Sequence, residues 1–162
     1  MLAWCVQHEV AIVPFGGGTS VVGGLRTTDV PRPTVVLDMS RMSMLLAVDA
    51  ESHLVTVGAG MTGPELERLL AARGLTMGHY PQSWHRATIG GYAATRSAGQ
   101  SSTGYGRSDE MVDSMPVIAP RGPLRVGRVA ASAAGPDLRA LMIGSEGAFG
   151  IITEVTLRVR TA

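Results

Sequence analysis

Chemistry is first suggested by the stretch Pro14-Phe15-Gly16-Gly17-Gly18-Thr19-Ser20. Three consecutive glycines strip the side chains from one side of the backbone, and two hydroxyl residues follow. Each glycine loses roughly 0.5–1 kcal/mol more ordering entropy than alanine, so an ordered run calls for a compensating interaction. A bound anion is one such interaction. Successive backbone N–H groups in a turn form a concave nest that phosphate oxygens can approach closely. A flexible turn between two strands is the other reading, and the stretch alone leaves both open.

Three more segments share this small-residue character: Pro81-Gln82-Ser83 leading through Thr88 to Gly90-Gly91, the run from Thr95 to Gly106, and Gly144 to Ile152. Any one of them is an ordinary glycine-rich turn. Four together suit one elongated ligand touched by several backbone edges, and a dinucleotide has that shape. The pattern is not the Gly-x-Gly-x-x-Gly one, because Ser20 is followed by Val21-Val22-Gly23-Gly24-Leu25 and then prolines.

All 14 basic residues are arginine. The absence of lysine excludes a Walker-type phosphate loop, a Schiff-base lysine and a lysine general base within this chain. Cys5 is the single cysteine, which rules out an internal disulfide and a multi-cysteine zinc site and reads as a buried small hydrophobe. His8, His53, His79 and His85 match no metal-ligand spacing, so no metal is expected. The 14 basic and 13 acidic residues nearly cancel, which gives no electrostatic reason to expect nucleic acid or an anionic membrane. No basic-then-apolar leader and no apolar run near 20 residues occurs, so a cytoplasmic protein without an integral membrane segment is expected.

The elements that must position these segments follow from pattern. At 162 residues and 45% hydrophobic content, the chain has the length of one domain with a real core. Residues 1–9 carry Leu2, Cys5 and Val6 on one helical face. Val10–Val13 reads as a strand ending at Pro14, Thr34–Asp38 as a second, and Leu45–Asp49 with His53–Ala59 as a hairpin. Thr62 and Glu65 form a capping-box pattern with Pro64 in the first turn; Leu66, Leu69 and Leu70 make the apolar face, and Gly74 ends the helix. From Leu75 to Asp113 periodicity is weak, and the segment reads as a long functional loop. Short strands at Val117–Ala119 and Leu124–Val126, a short helix at Pro136–Met142 and one alternating strand at Ile151–Val159 complete the chain.

Pro-Phe-Gly-Gly-Gly-Thr-Ser, Pro-Gln-Ser…Thr-Ile-Gly-Gly and Gly-Ser-Glu-Gly-Ala-Phe-Gly-Ile-Ile-Thr-Glu, in that order, resemble the FAD-binding domain of the vanillyl-alcohol-oxidase/p-cresol-methylhydroxylase (PCMH) flavoprotein superfamily. The run Thr95-Arg96-Ser97-Ala98-Gly99-Gln100-Ser101-Ser102-Thr103-Gly104-Tyr105-Gly106 is most similar to the alkyldihydroxyacetonephosphate synthase branch. It lacks the Asn-Ala-Gly-Gly type of segment usual among glycolate oxidases and D-lactate dehydrogenases. The resemblance implies an α+β fold of the PCMH type, two small α/β subdomains with FAD between them. It also implies that Pro14, Phe15, Gly16, Gly17, Gly18, Thr19 and Ser20 hold the pyrophosphate. Gln82, Ser83 and Thr88 would line the flavin side, with Gly90 and Gly91 letting the backbone pass close to the cofactor. Thr95, Arg96, Ser97 and Ala98 would contact the diphosphate or ribityl region. Glu146, Gly147, Gly150, Ile151 and Ile152 would close over the adenosine end and the flavin edge.

Plainer readings stand beside these roles: Arg96 in a surface ion pair and Glu146 as a solvated turn residue. His85 reads as a loop histidine or as one near the flavin, and Tyr92 and Tyr105 as packing or site residues, between which the sequence does not decide. Some superfamily members tether FAD through a histidine near the glycine loop; residues 14–28 contain none, so non-covalent FAD is expected. Gly17→Ala or Gly18→Ala is expected to weaken FAD binding by pushing a methyl into the pyrophosphate path. The superfamily keeps most acid–base and substrate residues in a separate cap domain. Residues 1–162 are therefore read as the FAD domain without its first strand–helix unit and without the cap that would supply the small-molecule substrate site; a homo-oligomer stays open. The implied reaction is flavin-dependent exchange of an acyl for an alkyl group on a dihydroxyacetone-phosphate ester. Dehydrogenation or oxidation of a small 2-hydroxy acid or alcohol, and a non-catalytic flavin module, are the alternatives.

Overall fold

The computed structural model describes residues 1–127 and 134–162. A short helix α1 (Leu2–Gln7) precedes strand β1 (Ala11–Phe15), which pairs in parallel with β2 (Thr34–Asp38) from Ala11↔Thr34 to Phe15↔Asp38. β1 runs two residues further than the sequence suggests, because Phe15 keeps the ladder going and its carbonyl accepts from Met39 N at 2.9 Å. Cys5 is buried, as its type suggests. This pair shares a small core of Met39, Ala59 and Ile151, against which Leu2, Ile12 and Leu37 pack.

The larger unit is an antiparallel sheet in the order β3-β4-β9-β6-β7, formed by β3 (Leu45–Asp49), β4 (Leu54–Gly58), β9 (Glu154–Arg158), β6 (Val112–Ala119) and β7 (Gly122–Gly127). β3 and β4 form the expected hairpin. Strand alternation decides the faces: Val55, Val57, Val155 and Leu157 are buried, while the hydroxyls of Thr56 and Thr156 meet on the opposite face at 2.9 Å. Helix α2 (Gly63–Ala71) lays Leu66 and Leu70 on this core, and α3 (Ile89–Thr95) adds Ile89, Tyr92 and Ala93.

Four sequence expectations change. The residues from Leu75 to Asp113 are not one loop: they hold β5 (Leu75–Thr76), α3, α4 (Ser102–Tyr105), α5 (Ser108–Met111) and the first residues of β6. Helix α3 escapes detection because Gly90-Gly91 lowers helix propensity by about 1 kcal/mol per residue; burial and a capping side chain outweigh that. Thr62 does precede α2, but its side chain makes no capping bond; its backbone forms an isolated antiparallel bridge with that of Thr88. The single alternating strand at 151–159 is two strands, β8 (Ile151–Ile152) and β9, interrupted at Thr153. Thr153 N donates to Pro116 O at 3.2 Å, and Pro116 has no N–H to return. The short helix near 136 is α6 (Leu138–Met142), opened by Asp137, whose carboxylate accepts from Arg139 N and Ala140 N and is held below its usual range chiefly by the Ala140 bond. The last strand β10 (Arg160–Thr161) pairs with β5. Among the described residues no helix is long and apolar enough to cross a membrane.

Candidate functional site

The loop after β1 leans on the turn that leads into α3, and the glycines make that contact. A Cβ on Gly17 would lie inside the Arg86 peptide, 2.6 Å from its carbonyl carbon and 2.9 Å from Ala87 Cα. A Cβ on Gly16 would lie 2.5 Å from Thr88 Oγ1. Gly18 has φ +65, and the Phe15 ring closes over it, 2.9 Å from where a Cβ would stand. The missing side chain of Gly17 therefore faces protein and not the cleft. The expectation that an alanine methyl there enters the pyrophosphate path is corrected: it meets the 86–87 backbone first.

Helix α3 ties three segments together. At its start, Thr88 Oγ1 accepts from Gly91 N at 3.3 Å, while Ile89 N and Gly90 N donate to Met61 O and Ala59 O at 2.8 and 2.7 Å. A Cβ on Gly90 would stand 2.6 Å from Ala59 Cβ, so this glycine permits packing on the strand end as well as bordering the cleft. At its other end, Ala93 O and Ala94 O accept from Gly144 N and Glu146 N at 2.9 and 3.0 Å, which fixes the turn before β8. Gly147 then packs on Pro14. The four small-residue segments thus converge.

Between them lies a cleft of about 370 Å³, within the size range of small-molecule and cofactor sites. Pro14, Gly16, Gly17, Gly18, Thr19 and Ser20 border it from the glycine loop; Ser83, Thr88, Gly90, Gly91, Thr95 and Ser97 border it from the α3 side; Glu146, Gly147, Gly150 and Ile152 close it. Five other residues singled out by sequence lie off its wall. Phe15 folds over Gly18, Gln82 is exposed, Ala98 lies beyond the wall, and Ile151 is buried in the small core. The fifth, Arg96, has φ +50 at the C-terminus of α3. Its guanidinium donates to Ile143 O and Ala140 O at 3.1 and 2.8 Å and sits 3.5 Å from Asp109. That guanidinium is occupied by protein acceptors, against the anion-binding role expected for it.

The cleft also has walls that the sequence reading did not single out: Val13, Val21, Val22, Leu25, Met39, Ala59, Ala87 and Ala94, with Gly24; Tyr92, left open between packing and site, joins them. Val21 is 97% exposed and Val22 68%. The available signal was the apolar pair Val21-Val22 directly after the glycine loop. Tyr92 proves to be both a packing and a site residue: its ring is buried and reaches the cleft, while its hydroxyl finds no protein partner among the described residues. Burial, then the Glu67 charge, raises its pKa. Behind it His79 is buried, in edge contact with the Tyr92 ring at 4.8 Å, and desolvation lowers its pKa to about 4.

The donor set fits an anionic dinucleotide. Among the described residues, the backbone N–H groups of Gly17, Gly18, Thr19 and Ser20 have no protein acceptor. Four consecutive donors without a protein acceptor, beside a cleft, suit the oxygens of a diphosphate. Glu146 is the single charged residue on the described wall, so an anion here would be held by backbone dipoles and hydroxyls without a cationic side chain.

Comparison with known proteins agrees with this geometry. The sequence profile of a family described as an FAD binding domain matches residues 1–127. The chain belongs to that family. Alkyldihydroxyacetonephosphate synthase of Dictyostelium discoideum is 39% identical over 153 residues, 94% of this chain and 25% of that protein. The mitochondrial D-lactate dehydrogenase (cytochrome) of Arabidopsis thaliana is 40% identical over 162 residues, 99% of this chain and 28% of that protein. A solved alkyldihydroxyacetonephosphate synthase superimposes with a TM-score of 0.91 at 36% identity, covering 99% of this chain and 29% of that one. The chain spans about a quarter of the length of the curated relatives. The fold is therefore the α+β FAD-binding one, with the β1–β2 unit and the larger sheet on either side of the cleft.

Proposed function

We propose that the chain holds FAD non-covalently in this cleft and is the cofactor half of a larger flavoenzyme resembling alkyldihydroxyacetonephosphate synthase. The row of four unpaired N–H groups from Gly17 to Ser20, next to the Thr19 and Ser20 hydroxyls, carries the reading. These groups bind the diphosphate, and the Gly16–Thr88 and Gly17–Arg86 contacts keep them aimed. Ser83 and Thr88 face the flavin side; Thr95 and Ser97 offer hydroxyls to the diphosphate or ribityl oxygens. A carboxylate repels phosphate, so Glu146 suits the adenosine end, where hydroxyl and amino groups donate. When bound, FAD supplies the electron chemistry through its ring system, and the protein supplies position and exclusion of water. No histidine or cysteine stands on the described wall, which favours non-covalent attachment.

The substrate and its acid–base groups are assigned to a separate cap domain, because Glu146 is the one titratable side chain on the described wall besides the buried Tyr92. Exchange of acyl for alkyl on a dihydroxyacetone-phosphate ester is the proposed reaction. The Arabidopsis relative favours a second reading, oxidation of a small 2-hydroxy acid. The test begins with the purified chain: denaturation after incubation with FAD is expected to release about one equivalent of intact flavin. Absence of flavin removes the cofactor assignment, and flavin that stays with the denatured protein removes the non-covalent one. In the full-length protein, flavin bleaching by lactate or glycolate selects the second reaction; turnover of an acyl-dihydroxyacetone-phosphate with a fatty alcohol selects the first.

A further inference from the structure

We propose that His79 is a positioning residue for the cleft: its Nε2–H donates to Ser97 Oγ and so turns the serine's own proton toward the bound ligand. The inference rests on the FAD reading above and adds to it a buried device that sets the polarity of one wall hydroxyl. His79 is 1% exposed, its Nε2 lies 3.1 Å from Ser97 Oγ, and its Nδ1 has no partner among the described residues. A neutral imidazole carries one N–H, and the two placements have different consequences. With the proton on Nδ1, a buried N–H is orphaned, which is the rarer defect in folded proteins. Ser97 would then have to donate to Nε2 and would show the cleft only lone pairs, which repel phosphate oxygens. With the proton on Nε2, the orphan is a lone pair, Ser97 accepts, and its hydroxyl proton is released for the cleft.

The rest of Ser97 is fixed around this bond. Its N–H donates to Tyr92 O at 3.0 Å, and its carbonyl accepts from Ser108 N at 3.2 Å and from Ser108 Oγ at 2.8 Å. Ser108 is fully buried. The His79 ring is held edge-on against Tyr92 at an interplanar angle of 79°. Desolvation keeps the imidazole neutral at physiological pH. Because no cationic side chain stands on the described wall, each oriented hydroxyl carries more of the anion binding.

Two measurements on the 162-residue chain test this. Long-range proton–nitrogen correlation spectra of its four histidines, with His79 assigned by the loss of its signals in His79→Phe, are expected to show the Nε2–H tautomer. An Nδ1–H pattern overturns the inference. FAD titration by flavin fluorescence is expected to give about tenfold or more weaker binding for Ser97→Ala, the loss of one hydrogen bond to a charged acceptor. His79→Phe should weaken binding several-fold alone and no further in the Ser97→Ala background. His79→Gln, whose amide N–H takes the place of Nε2–H, should restore most of the affinity. Equal losses from His79→Phe with and without the serine hydroxyl make His79 a packing residue only and overturn the inference, as does His79→Gln binding as weakly as His79→Phe. Should His79→Phe not fold, His79 is assigned by elimination from substitutions of the other three histidines, and the tautomer and the glutamine variant decide. FAD uptake indifferent to Ser97→Ala overturns this inference alone, whereas a wild-type chain that takes up no FAD overturns the cofactor reading beneath it.

Discussion

Gly17→Ala separates two meanings of the glycine loop. If the methyl only narrowed the ligand path, the ligand-free protein would be as stable as wild type and FAD affinity alone would fall. The structure instead puts the new carbon within 2.6 Å of the Arg86 carbonyl carbon and 2.9 Å of Ala87 Cα, both backbone atoms with no rotamer to escape into. Overpacking of this kind costs about 1–3 kcal/mol. For a chain of this length, that corresponds to a melting temperature lower by about 2–12 °C in the absence of FAD. The loop can relieve the clash only by lifting off the 83–88 turn, which moves the four N–H groups out of register. Losing even one charge-assisted hydrogen bond lowers affinity about tenfold or more. Thermal unfolding of the FAD-free variant and FAD titration of the same sample are the paired assays. A variant that melts with wild type and yet loses FAD would refute the packing argument. One unchanged in both would reduce the loop to a connecting turn.

Three further outcomes follow from the same geometry. Arg96→Ala removes the donors to Ala140 O and Ile143 O, so it should lower stability by about 1–2 kcal/mol in urea unfolding while FAD affinity stays within about twofold; affinity lost at unchanged stability would return Arg96 to the anion site. Thr88→Val keeps the shape but deletes the acceptor for Gly91 N, which should cost about 1 kcal/mol and weaken FAD binding as α3 frays at its start; unchanged stability would show that burial alone holds the helix. Stability should also depend on pH through His79. Burial depresses its folded pKa from 6.5 to about 4, so its contribution is complete above pH 6.5 and is lost as pH falls from there toward 4, while the unfolded state takes up the proton. Urea unfolding across that window should show the decline, and a slope identical in His79→Phe would assign it to other groups.

Legibility differed between strands and turns. Thr34–Asp38 and Leu45–Asp49 were readable residue for residue because apolar periodicity is a local signal, reinforced for the first strand by Pro31 and Pro33. The same periodicity merged β8 and β9, since the break at Thr153 is caused by Pro116, which lies 37 residues earlier in the chain. Within the site, glycine and hydroxyl clusters identified the four converging segments without showing how they converge.

The sequence by itself determined that an anion here must be held without lysine and that four small-residue segments recur in a family-specific order. Those conclusions depend on residue type and spacing alone. The tertiary structure decided which way each group faces. It turned the missing side chain of Gly17 toward Arg86, spent the Arg96 guanidinium on the carbonyls around α6, and made Gly90-Gly91 part of a buried helix that holds the other three segments in place. The physical reason is that a glycine or an arginine reports in sequence only what it is able to do. Which of those abilities is used depends on the atom across the gap, and that atom belongs to a distant part of the chain.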